Sequence, residues 1–321
     1  MKAAVRTKYG PPEAVRIAEV PSPIPGDGEV LVRVHATTVN RTDCGFRAAK
    51  PWIVRFFGGI AKPKVTILGC EFAGVVESVG TRVTAFEPGD RVFGFSEDRF
   101  GAHAQYLTMP ADGAIATMPA DLDFVEAAPS TEGSHYALSA IRKARVRSGQ
   151  RVLVNGATGA IGSAAVQILK DLGATVTAVC ATEHLELVRG LGPDRVIDYR
   201  VEDFTKDEQR YDVVIDAVGK SSFGRCKPLL VPEGRFLSSD LGPLSQNPLL
   251  ALVTPLFGGR TVLFPIPKPH GRREMVYVKQ LIEASAFTPL IDRRYPLDEI
   301  VDAYRYVETG QKVGNVVIEV P

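Results

Sequence analysis

RVLVNGATGAIGSAAVQILKDLG, residues 151–173, decides how the rest of this chain is read. A short apolar run leads into Gly156, Gly159 and Gly162, and a helix-period segment follows that closes on a glycine. Bare glycines at this spacing arise by chance in a chain that holds 30 of them, so the context carries the weight. Between a strand and a helix, one glycine permits the tight turn, another lets backbone approach a pyrophosphate, and the last lets helix and strand pack closely. The helix N-terminus then offers free N–H groups and a positive dipole end to phosphate oxygens. The pattern predicts a dinucleotide loop at Gly156, Ala157, Thr158, Gly159, Ala160, Ile161 and Gly162, with a ligand-free structural turn as the plainer alternative.

Around that loop, from about residue 124, apolar strands alternate with helix-period segments. RVLVNG, TVTAVC, RVIDY, YDVVIDAVG and GRFLSS show little polar alternation, as strands covered on both faces do. SAAVQILKDLG, HLELVRGLG and KPLLVPEG each end in Gly, the usual residue after a helix, so the region reads as βαβ units on a parallel sheet. RTVLFPIP (260–267) would be its last strand; a helix over REMVYVKQLIEASA and a closing strand GNVVIEV follow, and this tail is expected to return to the first domain. Residues 28–107 differ: EVLVRVHATTV, GVVESVG, DRVFGF and AHAQYLT are short β-branched runs separated by Pro, Gly and Asp turns, an all-β region. A chain of 321 residues exceeds what one core usually organises, which also argues for two domains.

Composition excludes several classes. Hydrophobic residues make up 45% and charged residues 23%, so a sizeable core is available and disorder is not indicated. With 38 basic against 37 acidic side chains, the overall balance points to neither nucleic acid nor membrane, and the partner is expected to be a small molecule. The N-terminal MKAAVRTKYGPPEAV lacks the apolar core of a signal peptide, and no run is long enough for a membrane helix, so a cytoplasmic location is expected. Cys44, Cys70, Cys180 and Cys226 are scattered, without CxxC spacing, and are expected to be reduced.

GCEFAGVVESVG, PGDRVFGF, GAHAQYLTMPADGAIATMPADLDFVEAAP, the glycine loop, LELVRGLGPDRVIDY and TPLIDRRYPLDEIVDAYRYVETG together resemble the medium-chain dehydrogenase/reductase superfamily over essentially the whole chain. Within it the chain looks like the zinc-independent quinone oxidoreductase or enone reductase branch. The resemblance implies an α/β fold: a Rossmann doubly wound parallel sheet over 125–267, plus a GroES-like, mainly β catalytic domain over 1–124 completed by 268–321, with catalysis in the cleft between them. It also implies NAD(P)H as hydride donor and a quinone or α,β-unsaturated carbonyl as acceptor. Two rivals are a zinc-dependent alcohol dehydrogenase and a non-catalytic NADP(H)-binding redox sensor.

Zinc members of the superfamily carry a Cys before a Thr-Asp pair, a Gly-His-Glu and a later Cys-Gly. Here VNRTD puts Asn40 at the first position, GCE puts Cys70 where His would stand, and TEG puts Glu132 at the third, so no zinc is expected. Cys70 then reads as a small buried residue and Glu71 as a structural carboxylate. Asn40 matches the asparagine of zinc-free members, whose amide would donate to substrate or nicotinamide ribose; a turn-forming Asn is the alternative. In STEGSHYAL (130–138) the family segment that passes the nicotinamide carries His135 where a Thr is usual, and His135 and Tyr136 are the candidate proton donors. His35, His103, His184 and His270 have no partner pattern and read as structural.

An acid that would select NAD by bonding the ribose 2′-OH is replaced at the strand end by Cys180, which favours NADP(H) over NAD(H). Glu183 partly restores the charge and Arg200 offsets it, leaving Thr182, Tyr199 and Arg200 as adenosine-side candidates. Ala217, Val218 and Gly219, ending VIDAVG, are the nicotinamide-side candidates. FRAAKPWIVRFFGGI and LGPLSQNPLLALVTPLF are apolar segments read as substrate wall, lid or packing, and RTVLFPIP as an edge strand able to pair across a homodimer axis.

Overall fold

In the computed structural model, which describes residues 1–265 and 271–321, the chain divides into two compact units. The first begins with β1 (Lys2–Arg6), β2 (Val15–Glu19), β3 (Glu29–Val39), α1 (Arg41–Ala48), α2 (Val54–Gly58), β4 (Glu71–Val79), β5 (Arg91–Phe95), β6 (Tyr106–Pro110), β7 (Ile115–Thr117) and α3 (Phe124–Ala127). The second runs from Gly133 and holds most of α4 (Glu132–Ala144), then β8 (Arg151–Asn155), α5 (Ala160–Asp171), β9 (Thr175–Cys180), α6 (Leu185–Gly190), β10 (Arg195–Asp198), β11 (Tyr211–Asp216), α7 (Phe223–Cys226), β12 (Leu230–Ser238), α8 (Gln246–Val253) and β13 (Thr261–Leu263). The chain then returns to the first unit with α9 (Arg272–Glu283), β14 (Ile291–Pro296), α10 (Ile300–Glu308) and β15 (Asn315–Glu319).

The first unit is built on a sheet ordered β14-β15-β3-β4-β5-β7, with β6 also paired to β3. β3 is its spine: Val30, Val32, Val34 and Ala36 are buried at alternate positions while Arg33 faces solvent, the period-2 pattern of a strand with one covered face. The tail does return, since β15 pairs antiparallel with β3 in the register Val316↔Val39 to Glu319↔Ala36.

The second unit is a parallel sheet ordered β10-β9-β8-β11-β12-β13. Val152, Leu153 and Val154 of β8 and Val213, Val214 and Ile215 of β11 are all buried, as continuous apolar runs in a sheet covered on both faces require. The strand order reverses between β8 and β11, so the crevice for a ligand lies at the carboxyl ends of these two strands.

The all-β reading of 28–107 needs correction at α1 and α2. Asn40 and Asp43 form a reciprocal capping box that starts α1, a signal present in VNRTD with Asp in the third helical position instead of the commoner Glu or Gln. KPLLVPEG is likewise not a helix. Lys227–Leu229 make one 3-10 turn and β12 starts at Leu230. Pro232, which has no N–H to give a ladder, falls where the β11–β12 register shifts between Leu230 and Arg235. The expected strand over 260–267 is observed as β13; positions 266 and 267, and His270, lie outside the described residues.

Candidate active site

β3 ends at Val39, and Asn40 turns the chain into α1. Its Oδ1 accepts the Asp43 N–H at 2.9 Å, while Asp43 Oδ2 accepts the Asn40 N–H at 3.2 Å. Asn40 Nδ2 donates to Cys70 Sγ at 3.0 Å. Asn40 is therefore a buried helix cap, and an amide nitrogen carries two hydrogens, so one N–H remains for a ligand.

Glu71, wholly buried, accepts four hydrogen bonds. Thr38 Oγ1 donates to Oε2 at 2.6 Å, while Thr131 Oγ1 at 2.9 Å, Thr131 N–H at 3.2 Å and Glu132 N–H at 2.6 Å all reach Oε1. The two backbone donors belong to the opening of α4, where helix N–H groups have no partner of their own and a negative charge is favourable. Burial pushes the Glu71 pKa up, and these donors oppose it.

Around this carboxylate lies a group of buried ionisable residues. Asp43 Oδ1 accepts the Gly69 N–H at 2.9 Å, yet burial pushes its pKa up to about 7. Burial, reinforced by the Glu71 charge, raises Glu132 well above the usual carboxylate range; Thr42 Oγ1 donates to its Oε1 at 2.7 Å. Burial lowers the Lys312 ammonium while Glu132 and Glu71 pull it back up. His103, read from the sequence as structural, is bonded on both ring nitrogens: Nε2 lies 2.7 Å from Thr38 O and Nδ1 3.3 Å from Tyr304 Oη. Burial pushes its pKa down to about 4, so the ring is a neutral, bonded core residue near neutral pH.

By the resemblance, Asn40, Cys70 and Glu132 stand where zinc members of the superfamily carry ligands, and the donor set can be tested against that ion. The Asn40 amide is engaged by α1 and Cys70, Glu71 is taken by four donors, and Glu132 Oε1 accepts from Thr42 Oγ1. Zinc draws on sets of Cys and His, and among the described residues no group of three His, Cys, Asp or Glu side chains is placed to hold an ion. These residues do not fit zinc.

In the second unit the glycine loop has the shape its sequence implies. Gly156 follows β8 with φ +84°, and a Cβ there would stand 2.7 Å from Val218 Cβ. A Cβ on Gly162 would stand 2.1 Å from Gly156 O, so only glycine lets α5 pack this closely on the loop. Gly159 is the N-cap of α5 with no side-chain cap bond, which leaves the helix N-terminus open to an anion. The same contact brings Ala217, Val218 and Gly219 beside the loop. Asp216 organises that turn: its Oδ1 accepts from Asn155 Nδ2 at 3.0 Å and its Oδ2 from the Ser221 N–H at 2.9 Å.

At the carboxyl ends of β9 and β10, Cys180 pairs in register with Asp198. Thr182 Oγ1 donates to Asp198 Oδ2 at 2.6 Å, the Arg200 N–H donates to Asp198 Oδ1 at 2.9 Å, and the Arg200 guanidinium pairs with Glu183 at 3.1 Å. Tyr199 is exposed beside Arg200, whose guanidinium lies 5.9 Å from its ring centre. Sequence reasoning singled out Thr182, Tyr199 and Arg200 but missed Asp198, because the acid sits on the neighbouring strand and not on the one that ends in Cys180. His135 and Tyr136 lie together in α4, ring against edge at 5.4 Å and 82°, His135 buried and Tyr136 half-buried.

The chain is similar to known proteins along its whole length. Residues 26–120 match the alcohol dehydrogenase GroES-like domain and residues 191–318 the zinc-binding dehydrogenase family. A 2-methylene-furan-3-one reductase of Solanum lycopersicum is 32% identical, over 99% of this chain and 79% of its own length. The quinone oxidoreductase of Homo sapiens is 28% identical over 97% and 94%. Among solved structures, the quinone oxidoreductase from Coxiella burnetii superposes with a TM-score of 0.88 at 26% identity, covering 100% of this chain and 99% of that one. The chain belongs to the medium-chain dehydrogenase/reductase superfamily, in its quinone oxidoreductase-like branch. Within that class it is an NAD(P)H-dependent oxidoreductase.

Proposed function

We propose that this chain reduces a quinone or an α,β-unsaturated carbonyl and does so without zinc. The observation that carries the reading is the corner at Asn40, Cys70, Glu71 and Glu132, where hydrogen bonds from Asn40, Thr38, Thr42, Thr131 and the α4 backbone already engage the atoms a metal would need. Without a Lewis acid, an alcohol or plain carbonyl lacks stabilisation for its charged oxygen, whereas a conjugated acceptor spreads that charge itself and needs only a few donors. The Solanum lycopersicum and Homo sapiens relatives are named for acceptors of this kind.

The dinucleotide, when bound, supplies the hydride. The Gly156–Gly162 loop and the open end of α5 would receive its diphosphate, with Ala157, Thr158, Ala160 and Ile161 offering backbone, and Ala217–Gly219 would flank the nicotinamide side. Hydride added at the β carbon or quinone ring leaves an enolate-type oxygen. The remaining Asn40 N–H is the proposed donor to it, and Tyr136, more open than His135, the proposed proton source.

The expected preference for NADP(H) over NAD(H) finds less support in the charges at the β9–β10 edge. Asp198 and Glu183 face a single guanidinium, Arg200, which is already paired, so a 2′-phosphate meets a net negative edge. The reading that follows is NADH use at least as good as NADPH use. β13 at the sheet edge supports a homodimer, checked by light scattering. Among the described residues no helix is long and apolar enough to cross a membrane, and a cytoplasmic location remains part of this proposal.

The test is turnover of a panel of quinones, enones, aldehydes and alcohols with each dinucleotide, before and after treatment with a zinc chelator. Reduction of quinones or enones that is indifferent to chelation is the expected result. Activity on alcohols that tracks stoichiometric zinc, or binding of dinucleotide with no turnover of any acceptor, would sink it.

A further inference from the structure

The segment 50–64, KPWIVRFFGGIAKPK, overlaps the apolar stretch read from the sequence as substrate wall, lid or packing, and none of its side chains enters the sites described above. It carries Lys50, Arg55, Lys62 and Lys64 and no acidic residue. Trp52, Ile53, Phe56, Phe57 and Ile60 are each between 52% and 72% exposed, a cluster of bulky apolar side chains that a folded protein ordinarily covers. Among the described residues none of the four cations has a carboxylate within 4.0 Å.

The segment is nonetheless a built structure. Tyr9 Oη donates to Gly59 O at 2.7 Å, the Lys64 N–H donates to Gly58 O at 2.7 Å, and Arg55 Nη1 donates to Ile60 O at 3.0 Å. The Arg55 guanidinium lies 4.8 Å from the Tyr9 ring centre, and Trp52 meets Phe56 edge to face at 5.0 Å. These bonds fasten the base at Gly58 and Gly59, which are buried, and leave the aromatic tip outward.

We infer that residues 50–64 form a platform that docks on an anionic lipid bilayer, with the aromatic and aliphatic tip entering the headgroup boundary and the exposed Lys50, Lys62 and Lys64 meeting lipid phosphates. Aromatic rings favour that boundary, where one side is apolar and the other wet, and lysine and arginine stems reach from apolar contact to charged headgroups. The near-zero net charge of the whole chain, which argues against a membrane, averages out this local excess. The platform lies on the surface and spans nothing. It does not depend on the acceptor proposed above, although acceptors that partition into lipid would meet the protein there.

Trp52 is the one tryptophan in the chain, so its fluorescence reports this surface alone. The full chain is mixed, without cofactor or acceptor, with vesicles of equimolar phosphatidylglycerol and phosphatidylcholine, and separately with pure phosphatidylcholine. Expected are co-sedimentation and a blue shift of Trp52 emission on the anionic vesicles, both weakened by salt. Each cation removed costs about fivefold in binding, so Lys62→Gln with Lys64→Gln loses roughly 25-fold. Phe56→Ser with Phe57→Ser loses about tenfold or more, with unchanged melting temperatures showing that the variants fold. Emission unmoved by anionic vesicles overturns the proposal, with or without sedimentation. So does quenching of Trp52 by a soluble quinone in a protein that ignores vesicles, which would make the segment a wall of the substrate site.

Discussion

The glycine loop and the Glu71 corner both hold their units in shape, but one does so by excluding atoms and the other by balancing charge. At Gly156 and Gly162 the constraint is space: backbone and Val218 stand where a side chain would begin. At Glu71 it is electrostatic: one carboxylate, out of water, is kept by four donors from two distant segments. A site defined by missing atoms tolerates almost no substitution but needs no partner. A site defined by buried charge tolerates an isostere and fails when the polar group is simply removed.

The comparison breaks first, if anywhere, at Gly162→Val. With a backbone oxygen 2.1 Å from the new Cβ, the loop must move, and dinucleotide affinity should fall by about 100-fold or more, read by fluorescence titration. Retained affinity would mean that the α5 contact is soft. Glu71→Ala should destabilise the fold by about 3–5 kcal/mol, because it strands buried donors, whereas Glu71→Gln keeps an oxygen for the three donors at Oε1 and should cost about 1–2 kcal/mol. Denaturant melts of the pair separate the two, and equal losses would mean that the charge, which both variants remove, holds the corner and the acceptor oxygen alone does not.

Asp43 gives a pH test. Its folded pKa of about 7 lies above the 3.8 of an ordinary aspartate, so the native state holds this proton more tightly than the unfolded chain does. The resulting stability is full below the unfolded value and is lost as pH rises through the folded one. Wild type should therefore lose about 2–3 kcal/mol relative to Asp43→Asn between pH ~5 and pH ~8.5, by denaturation at each pH. The smallest effect is expected at the exposed dinucleotide edge, where Asp198→Ser should improve the NADPH-to-NADH ratio of kcat/KM by roughly three- to tenfold. No change there would place the 2′ position away from Asp198.

What the sequence made legible follows the same division. The loop, the parallel strands and the returning tail were readable because glycine spacing and apolar runs are local patterns. Asn40 and Glu71 could be named from VNRTD and GCE, and the resemblance named Glu132 with Asn40 and Cys70, yet Thr38 and Thr131 could not be tied to Glu71, since the segments that carry them share no spacing. Asn40 shows the limit: its capping role was written in Asp43 three residues on, but the bond to Cys70 crosses from α1 to the start of β4. KPLLVPEG was misread because its glycine looks like a helix end, while Pro232 belongs to a bulged strand.

β15 lies beside β3, so Val39 has no neighbour on that side until Val316 has been made. During synthesis the parallel-sheet unit, whose strands all fall between them, emerges whole while the older sheet still shows an open edge. The enclosed unit is thus set to fold first, and the outer one to be sealed late, with that edge vulnerable to mispairing in the interval.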